Sequence, residues 1–357
     1  MGIVIAILVF GLIVTVHEFG HFICAKLSGI KVIEFAVGMG PKILQKKKGE
    51  TKYSLRLLPV GGYCAMEGED STNSDPRSFR NAKLWKRIIV LAAGAGMNFV
   101  LGFVMLIVLV SMMDAVPTTI ISDFCKAQSD NGEISYIAES YETGLMRDDK
   151  IISIDGTRVY STLDLNYIFD TLDKSKGHKV IVKRNGSRKT IDDVVFHKKE
   201  EGGGAVDFGV IYKNKNPLTV IKGSGDIFMS MTHIVGLSLK QMFTGNMKKE
   251  DVSGPVGVVS VISSSAENTK SFIDALYNVI YLTALISINV GIFNLLPIPG
   301  LDGGRLLFCF IELIRRKPVK PEHEGYVHLA GMVLLFGVMI FATYNDIVKL
   351  ISGGSHG

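Results

Sequence analysis

His17-Glu18-Phe19-Gly20-His21 sits inside a run from residue 2 to residue 27 whose first fifteen residues after Met1 carry no charge. Three ionisable groups in so apolar a segment need a reason. At about 100° per residue the two imidazoles fall roughly 40° apart on one helix face, one turn apart. That spacing lets them share a zinc ion while the glutamate between them reaches a water on it. Inside a membrane span a charged or unsatisfied group costs roughly 2.5 to 3.5 kcal/mol or more and is normally kept for function.

Tetrahedral zinc needs a third protein ligand. Far along the chain an apolar run from residue 275 to 300 breaks into Asn294-Leu295-Leu296-Pro297-Ile298-Pro299-Gly300-Leu301-Asp302-Gly303-Gly304. Two prolines keep a helix from satisfying its own backbone there, which at membrane depth is tolerated only against protein or a wet cavity. Asp302, the lone carboxylate after them, is the expected third ligand beside His17 and His21, and Glu18 is the expected general base.

The 357 residues are 47% hydrophobic and 20% charged, with a mean hydropathy of +0.31, so the charge must be segregated. Four stretches can span a core of about 30 Å: residues 2–16 continuing through the motif, 88–113, 275–300 and 325–344. The first lacks the basic leader of a signal peptide. The net charge of +5 gathers beside the spans instead of forming an aromatic-interleaved patch, which excludes a nucleic-acid binder. Twelve basic residues fall between residues 31 and 87, and five between 305 and 320. The positive-inside rule makes both loops cytoplasmic and puts both termini and the long insert outside. His17 lies roughly 22 Å along the helix from Gly2, which sets the site within the membrane toward the cytoplasmic face. Cys24, Cys64, Cys125 and Cys309 show no metal or redox spacing, and only Cys125 lies outside, so no intramolecular disulfide is expected.

This pattern resembles the site-2 protease family of intramembrane zinc metalloproteases, in its bacterial regulator-of-sigma-E protease branch. The resemblance covers nearly the whole chain: HExxH in a first span, Gly61-Gly62-Tyr63 after it, residues 92–99, a PDZ-like insert, Gly254-Pro255-Val256-Gly257, Ser287-Ile288-Asn289, and the N-x-x-P-x-P-x-L-D-G-G segment. Ala93-Gly94-Ala95 departs from the family's Ala-Gly-Pro and leaves the local shape of the second helix open. The resemblance implies an α-helical polytopic membrane protein of four transmembrane helices, with a small membrane-associated β-sheet and an extracytoplasmic α+β PDZ-like domain. It implies a zinc endopeptidase of a bacterial plasma membrane that cuts single-span membrane proteins, such as anti-sigma factors or remnant signal peptides. Asn294 is then a contact for the substrate backbone or the developing oxyanion, Pro297 keeps its segment broken, and Gly61, Gly62 and Tyr63 contact substrate.

The organisation expected is a membrane core over residues 1–113, the PDZ-like domain over 114–216, an amphipathic region over 217–270, a second membrane core over 271–350, and a tail of no functional weight over 351–357. Residues 32–37 and 52–66 read as strands, whose exposed edge could hold an extended substrate by β-addition or merely plug the site. Residues 70–75 read as a polar loop. In the insert, 133–138 and 150–154 read as strands, 161–173 as a helix capped by Ser161 or Thr162, and 178–184 with 187–195 as a hairpin about Asn185-Gly186. The insert is either a peptide groove or a steric gate, with His178 and His197 solvated. Residues 227–243 read as an interfacial helix with His233 on its surface. His323 and His328, five residues apart, stand about 140° apart on a helix and cannot share an ion. A metal transporter would need further intramembrane ligands, and none is expected in the second and fourth spans. A catalytically silent scaffold would have lost Glu18 or a ligand.

Overall fold

The structure, a computed structural model, describes residues 2–69, 75–128, 134–136, 138–173, 176–196, 207–244, 257, 259–260 and 271–351. His197, most of the 70–75 loop, Gly254-Pro255-Val256 and the tail beyond residue 351 lie outside the described residues. The chain divides into two compact units, Met1–Met105 with Thr244–Gly357, and Leu106–Phe243.

In the first unit, helix α1 (Gly2–Leu27) leads into strands β1 (Val32–Lys48) and β2 (Thr51–Met66), and then into helix α2 (Leu84–Met112). The first strand runs eleven residues past its expected end at Val37, the second agrees with its expected bounds to within one residue, and the two fold back on each other. Phe35 faces Cys64 on one side and Tyr53 on the other, while Leu44 faces Leu55 and Lys47 faces Lys52. Residues 32–37 therefore lie between 51–55 and 62–66, which leaves 62–66 as an edge strand. At the turn end of this sheet Met39, Ile43, Leu44, Leu57, Leu58 and Val60 are all exposed. The Pro59 carbonyl rests on the backbone of Gly11 in the middle of α1, where a Cβ would come within 2.3 Å of it.

Helices long and apolar enough to cross a membrane number four among the described residues: Gly2–Leu27, Leu84–Met112, Phe272–Leu295 and Glu322–Val348. These match the four expected stretches. The third stops at Leu295, five residues short of the expected end, because the residue before Pro297 is pushed out of helical geometry. Arg87 and Arg80 pair with Glu312 (2.8 Å) and Glu324 (3.1 Å), tying the approach to α2 to the C-terminal helices.

In the second unit, β3 (Ala115–Phe124) is followed by the short strands β4 (Lys126–Gln128) and β5 (Ile134–Tyr136) and a one-turn helix α3 (Glu139–Glu142). Then come β6 (Lys150–Ile154), β7 (Thr157–Arg158), α4 (Thr162–Thr171), β8 (His178–Arg184), β9 (Ser187–Val194), β10 (Phe208–Asn214) and α5 (Pro217–Phe243). The main sheet runs β10-β3-β6-β8-β9, over a core that includes Ile121, Leu145, Ile151, Phe169, Val182 and Phe196. Asn185 (φ 50°) and Gly186 (φ 83°) both adopt positive φ, the tight hairpin turn their types favour. Ser161, not Thr162, caps α4, in a capping box with Asp164.

Two histidine expectations fail here. His178 is buried, its ring held between Asp155 (2.7 Å) and the Asp173 carbonyl (2.9 Å). His233 is only half-exposed: its Nδ1 lies 3.0 Å from Asp164 Oδ1, because α5 begins ten residues earlier than expected and packs on α4. Asn216 caps that early start through its side chain, and Pro217 sits at the first helical position.

Asp149 is fully buried and accepts from Arg184 Nε (2.7 Å) and Nη2 (2.6 Å). Arg184→Ala leaves that carboxylate unpaired and should destabilise the unit by about 3 to 5 kcal/mol. Urea unfolding read by limited proteolysis within residues 106–243 measures it, and Asp149→Asn/Arg184→Met should recover part of the loss.

Candidate metal centre

One turn of α1 separates His17 from His21, and their Nε2 atoms lie 3.2 Å apart. Asp302 Oδ2 lies 3.0 Å from the first and 3.2 Å from the second. Zinc bound at roughly 2.0 to 2.2 Å to each ligand would set tetrahedral edges of roughly 3.3 to 3.5 Å, so this triangle is close to one face of such a tetrahedron. Among the described residues no other group of three His, Cys, Asp or Glu has this closeness. The donor set fits: both imidazoles are buried, and His21 Nδ1 lies 2.8 Å from the Val90 carbonyl. A carbonyl only accepts, so the ring proton sits on Nδ1 and the Nε2 lone pair is left for a metal.

Helix α2 forms the floor. A Cβ at Gly94 would come within 2.4 Å of His21 Nε2 and 2.7 Å of His17 Cε1, so only glycine lets both rings lie against this helix. The helix runs unbroken through Ala93-Gly94-Ala95, so the missing proline leaves it regular. One turn on, Asn98 Nδ2 lies 3.2 Å from His17 Nδ1, a neighbour that sequence periodicity alone did not assign to the site.

Asp302 does not lie on the third span. It occupies the first turn of a separate amphipathic helix, α7 (Asp302–Arg315), reached from helix α6 (Phe272–Leu295) by the Pro297–Pro299 turn. The turn folds tightly onto this helix start, since a Cβ at Gly303 would overlap the Leu296 carbonyl at 2.0 Å. His328, in helix α8 (Pro321–Ile351), accepts the Gly300 N–H through Nδ1 at 3.0 Å. His328 thereby supports the segment that presents Asp302. The fourth span is also not free of ionisable groups, because His328 and Asp346 both lie on that helix. Asp346 accepts the Gly257 N–H at 2.7 Å.

Glu18 projects beside the triangle, and its Oε2 accepts the Cys64 N–H at 3.0 Å. The edge strand at residues 62–66 thus turns a backbone donor toward the carboxylate. Both face a cavity of about 600 Å³ also lined by His21, Tyr63, Asp302 and Arg305. Burial, and after it the Glu18 charge, push the Cys64 thiol up to about 12, so it stays protonated. Gly61 and Gly62 are buried in the strand behind Tyr63. Asn294 and Pro297 are not part of this cavity lining: with α6 ending at Leu295 the chain reorients, and Gly300, Leu301 and Asp302 face the cavity in their place. A carboxylate beside a group of three potential metal ligands, open to a cavity with a strand edge, is an arrangement suited to adding water to an extended peptide.

The family model for peptidase family M50 matches residues 5–338. A protein of Clostridium acetobutylicum provisionally named zinc metalloprotease is 37% identical over 356 residues, covering 98% of each chain. A similarly named protein of Clostridium perfringens is 34% identical over 352 residues, 98% of this chain and 99% of its own. The regulator of sigma-W protease RasP of Bacillus subtilis is 30% identical over 427 residues, 96% of this chain and 97% of its own.

Alanine is the better helix former by about 1 kcal/mol, so Gly94→Ala should keep helix content and thermal stability. Its methyl group displaces both imidazoles, and zinc affinity should fall about 10- to 100-fold. Zinc per chain after dialysis against graded chelator measures this; full retention would show that the rings do not depend on α2.

Proposed function

The chain belongs to peptidase family M50, and on that premise we propose how its own residues carry out intramembrane zinc-dependent proteolysis. The zinc metalloendopeptidase activity is that of the family; the residue roles are our assignment. His17, His21 and Asp302 hold the metal, an assignment carried by the triangle of 3.0 to 3.2 Å edges. Zinc, when bound, supplies the Lewis acidity that polarises the scissile carbonyl and makes water acidic near neutral pH. Glu18 takes a proton on its carboxylate from the attacking water and returns it to the leaving amide nitrogen, so that one group serves as base and then acid.

A peptide bond in a substrate helix is shielded and internally hydrogen-bonded, so it must be extended before water can reach it. The 62–66 edge strand, with Cys64 N–H already aimed at Glu18, is assigned to hold such an extended segment by β-addition, with Tyr63 beside it. Gly61 and Gly62 act from behind as a support. The exposed apolar end of the same sheet, set against the middle of α1, supports a membrane-associated sheet.

The substrates proposed are single-span membrane proteins. The Bacillus relative carries regulation of sigma-W in its name, which favours membrane-anchored anti-sigma factors, with remnant signal peptides as the second class. The excess of basic residues in the two short loops supports an arrangement in a bacterial plasma membrane with both termini and the PDZ-like insert, residues 114–216, outside.

Glu18→Gln should lower cleavage of a transmembrane peptide by about 10²- to 10⁴-fold or more while zinc stays bound. Loss of stoichiometric zinc from that variant would make Glu18 a ligand instead of a base. In sealed cells a membrane-impermeant thiol reagent should modify Asn185→Cys and spare Lys47→Cys, and the reverse pattern would invert the topology.

A further inference from the structure

Asn98 has no exposed surface and sits on α2 four residues beyond Gly94. Its backbone is fixed, since Ser287 Oγ donates to its carbonyl at 2.8 Å. Its side-chain amide lies against His17 with Nδ2 3.2 Å from Nδ1, while Oδ1 is buried without a hydrogen-bond partner. The two ends of an amide fill the same volume and are told apart only by what they touch. If His17 is to offer its Nε2 lone pair to a metal, its ring proton must sit on Nδ1 and needs an acceptor. Turned by half a rotation about its terminal torsion, Asn98 supplies one: Oδ1 comes against the Nδ1–H. The rotation leaves the amide nitrogen as the unpartnered end, so the gain lies wholly in the bond to His17.

We propose that Asn98 is a positioning residue whose amide oxygen accepts the His17 Nδ1 proton and so fixes the ring tautomer and orientation that bind zinc. The two histidine ligands are then oriented by different devices. His21 is set by the Val90 carbonyl, which can only accept, and His17 by a side chain that can either donate or accept. An acceptor-only side chain of the same size should serve in its place, and an apolar one of the same size should not.

This inference rests on His17 being a ligand, and the test separates the two. Zinc affinity of the purified full chain is measured by chelator competition for the parent, Asn98→Leu, Asn98→Asp and His17→Ala. Asn98→Leu should weaken zinc about 10- to 100-fold, Asn98→Asp should stay within a few-fold of the parent, and His17→Ala should weaken it further than either. The proposal is overturned if Asn98→Leu binds as tightly as the parent, or if Asn98→Asp weakens as much as Asn98→Leu. Should Asn98→Leu fail to fold, Asn98→Asp decides alone, and a tenfold or greater loss there overturns the proposal. If His17→Ala keeps its zinc, the ligand assignment itself falls, and the inference with it.

Discussion

Two imidazoles and a carboxylate whose facing atoms lie within 3.2 Å of one another, embedded among apolar helices, are a costly arrangement unless a cation holds them together. Much of the first unit serves that constraint. Helix α2 lies against the two rings because Gly94 presents no side chain, and the same helix offers the Val90 carbonyl and Asn98 to the far nitrogens of the rings. The carboxylate comes from a third place in the sequence, after a helix that proline ends early. The turn between is held by close backbone packing at Gly303 and by His328 at Gly300.

Chemistry at such a centre also needs the substrate in a different shape from its surroundings. The first unit supplies a strand edge next to the proposed base, so strand backbone and that carboxylate meet through one hydrogen bond, Cys64 N–H to Glu18. The fold-back of β1 and β2 makes this possible. Because residues 32–37 are flanked on both sides, 62–66 has one edge without a strand partner among the described residues, and Tyr63 to Met66 border the cavity.

The second unit shows the same physics put to structural use. Asp164 is 1% exposed and is surrounded by the Tyr160 and Ser161 N–H groups, the Ser230 hydroxyl and the His233 ring. A buried carboxylate so well supplied with donors is stable, and it ties the start of α4 to α5. Asp149 with Arg184 does likewise at the sheet. Among the described residues, neither cluster gathers a second histidine or carboxylate into metal-ligand range.

Local periodicity and charge explain what could be read from the chain before it folds. The i, i+4 spacing put His17 and His21 on one helix face, uninterrupted apolar length marked four spans, and Asn185-Gly186 marked a hairpin turn, because each is a property of neighbouring residues. Asp302 was legible as a candidate ligand because a carboxylate after two prolines in an apolar run has few other uses. Its location at the head of a separate helix was not, since that depends on where the turn closes back on α6. The remaining features come from the packing of distant segments. Asn98 and His328 became neighbours of the site through contacts 81 and 28 residues apart in the chain. Asn294 is not among the residues lining the cavity, and His178 is buried and His233 half-buried beside carboxylates that no spacing rule links to them. Hydrogen bonds between distant segments leave no period in the sequence, so the partners that orient a ligand become visible only when the helices are packed.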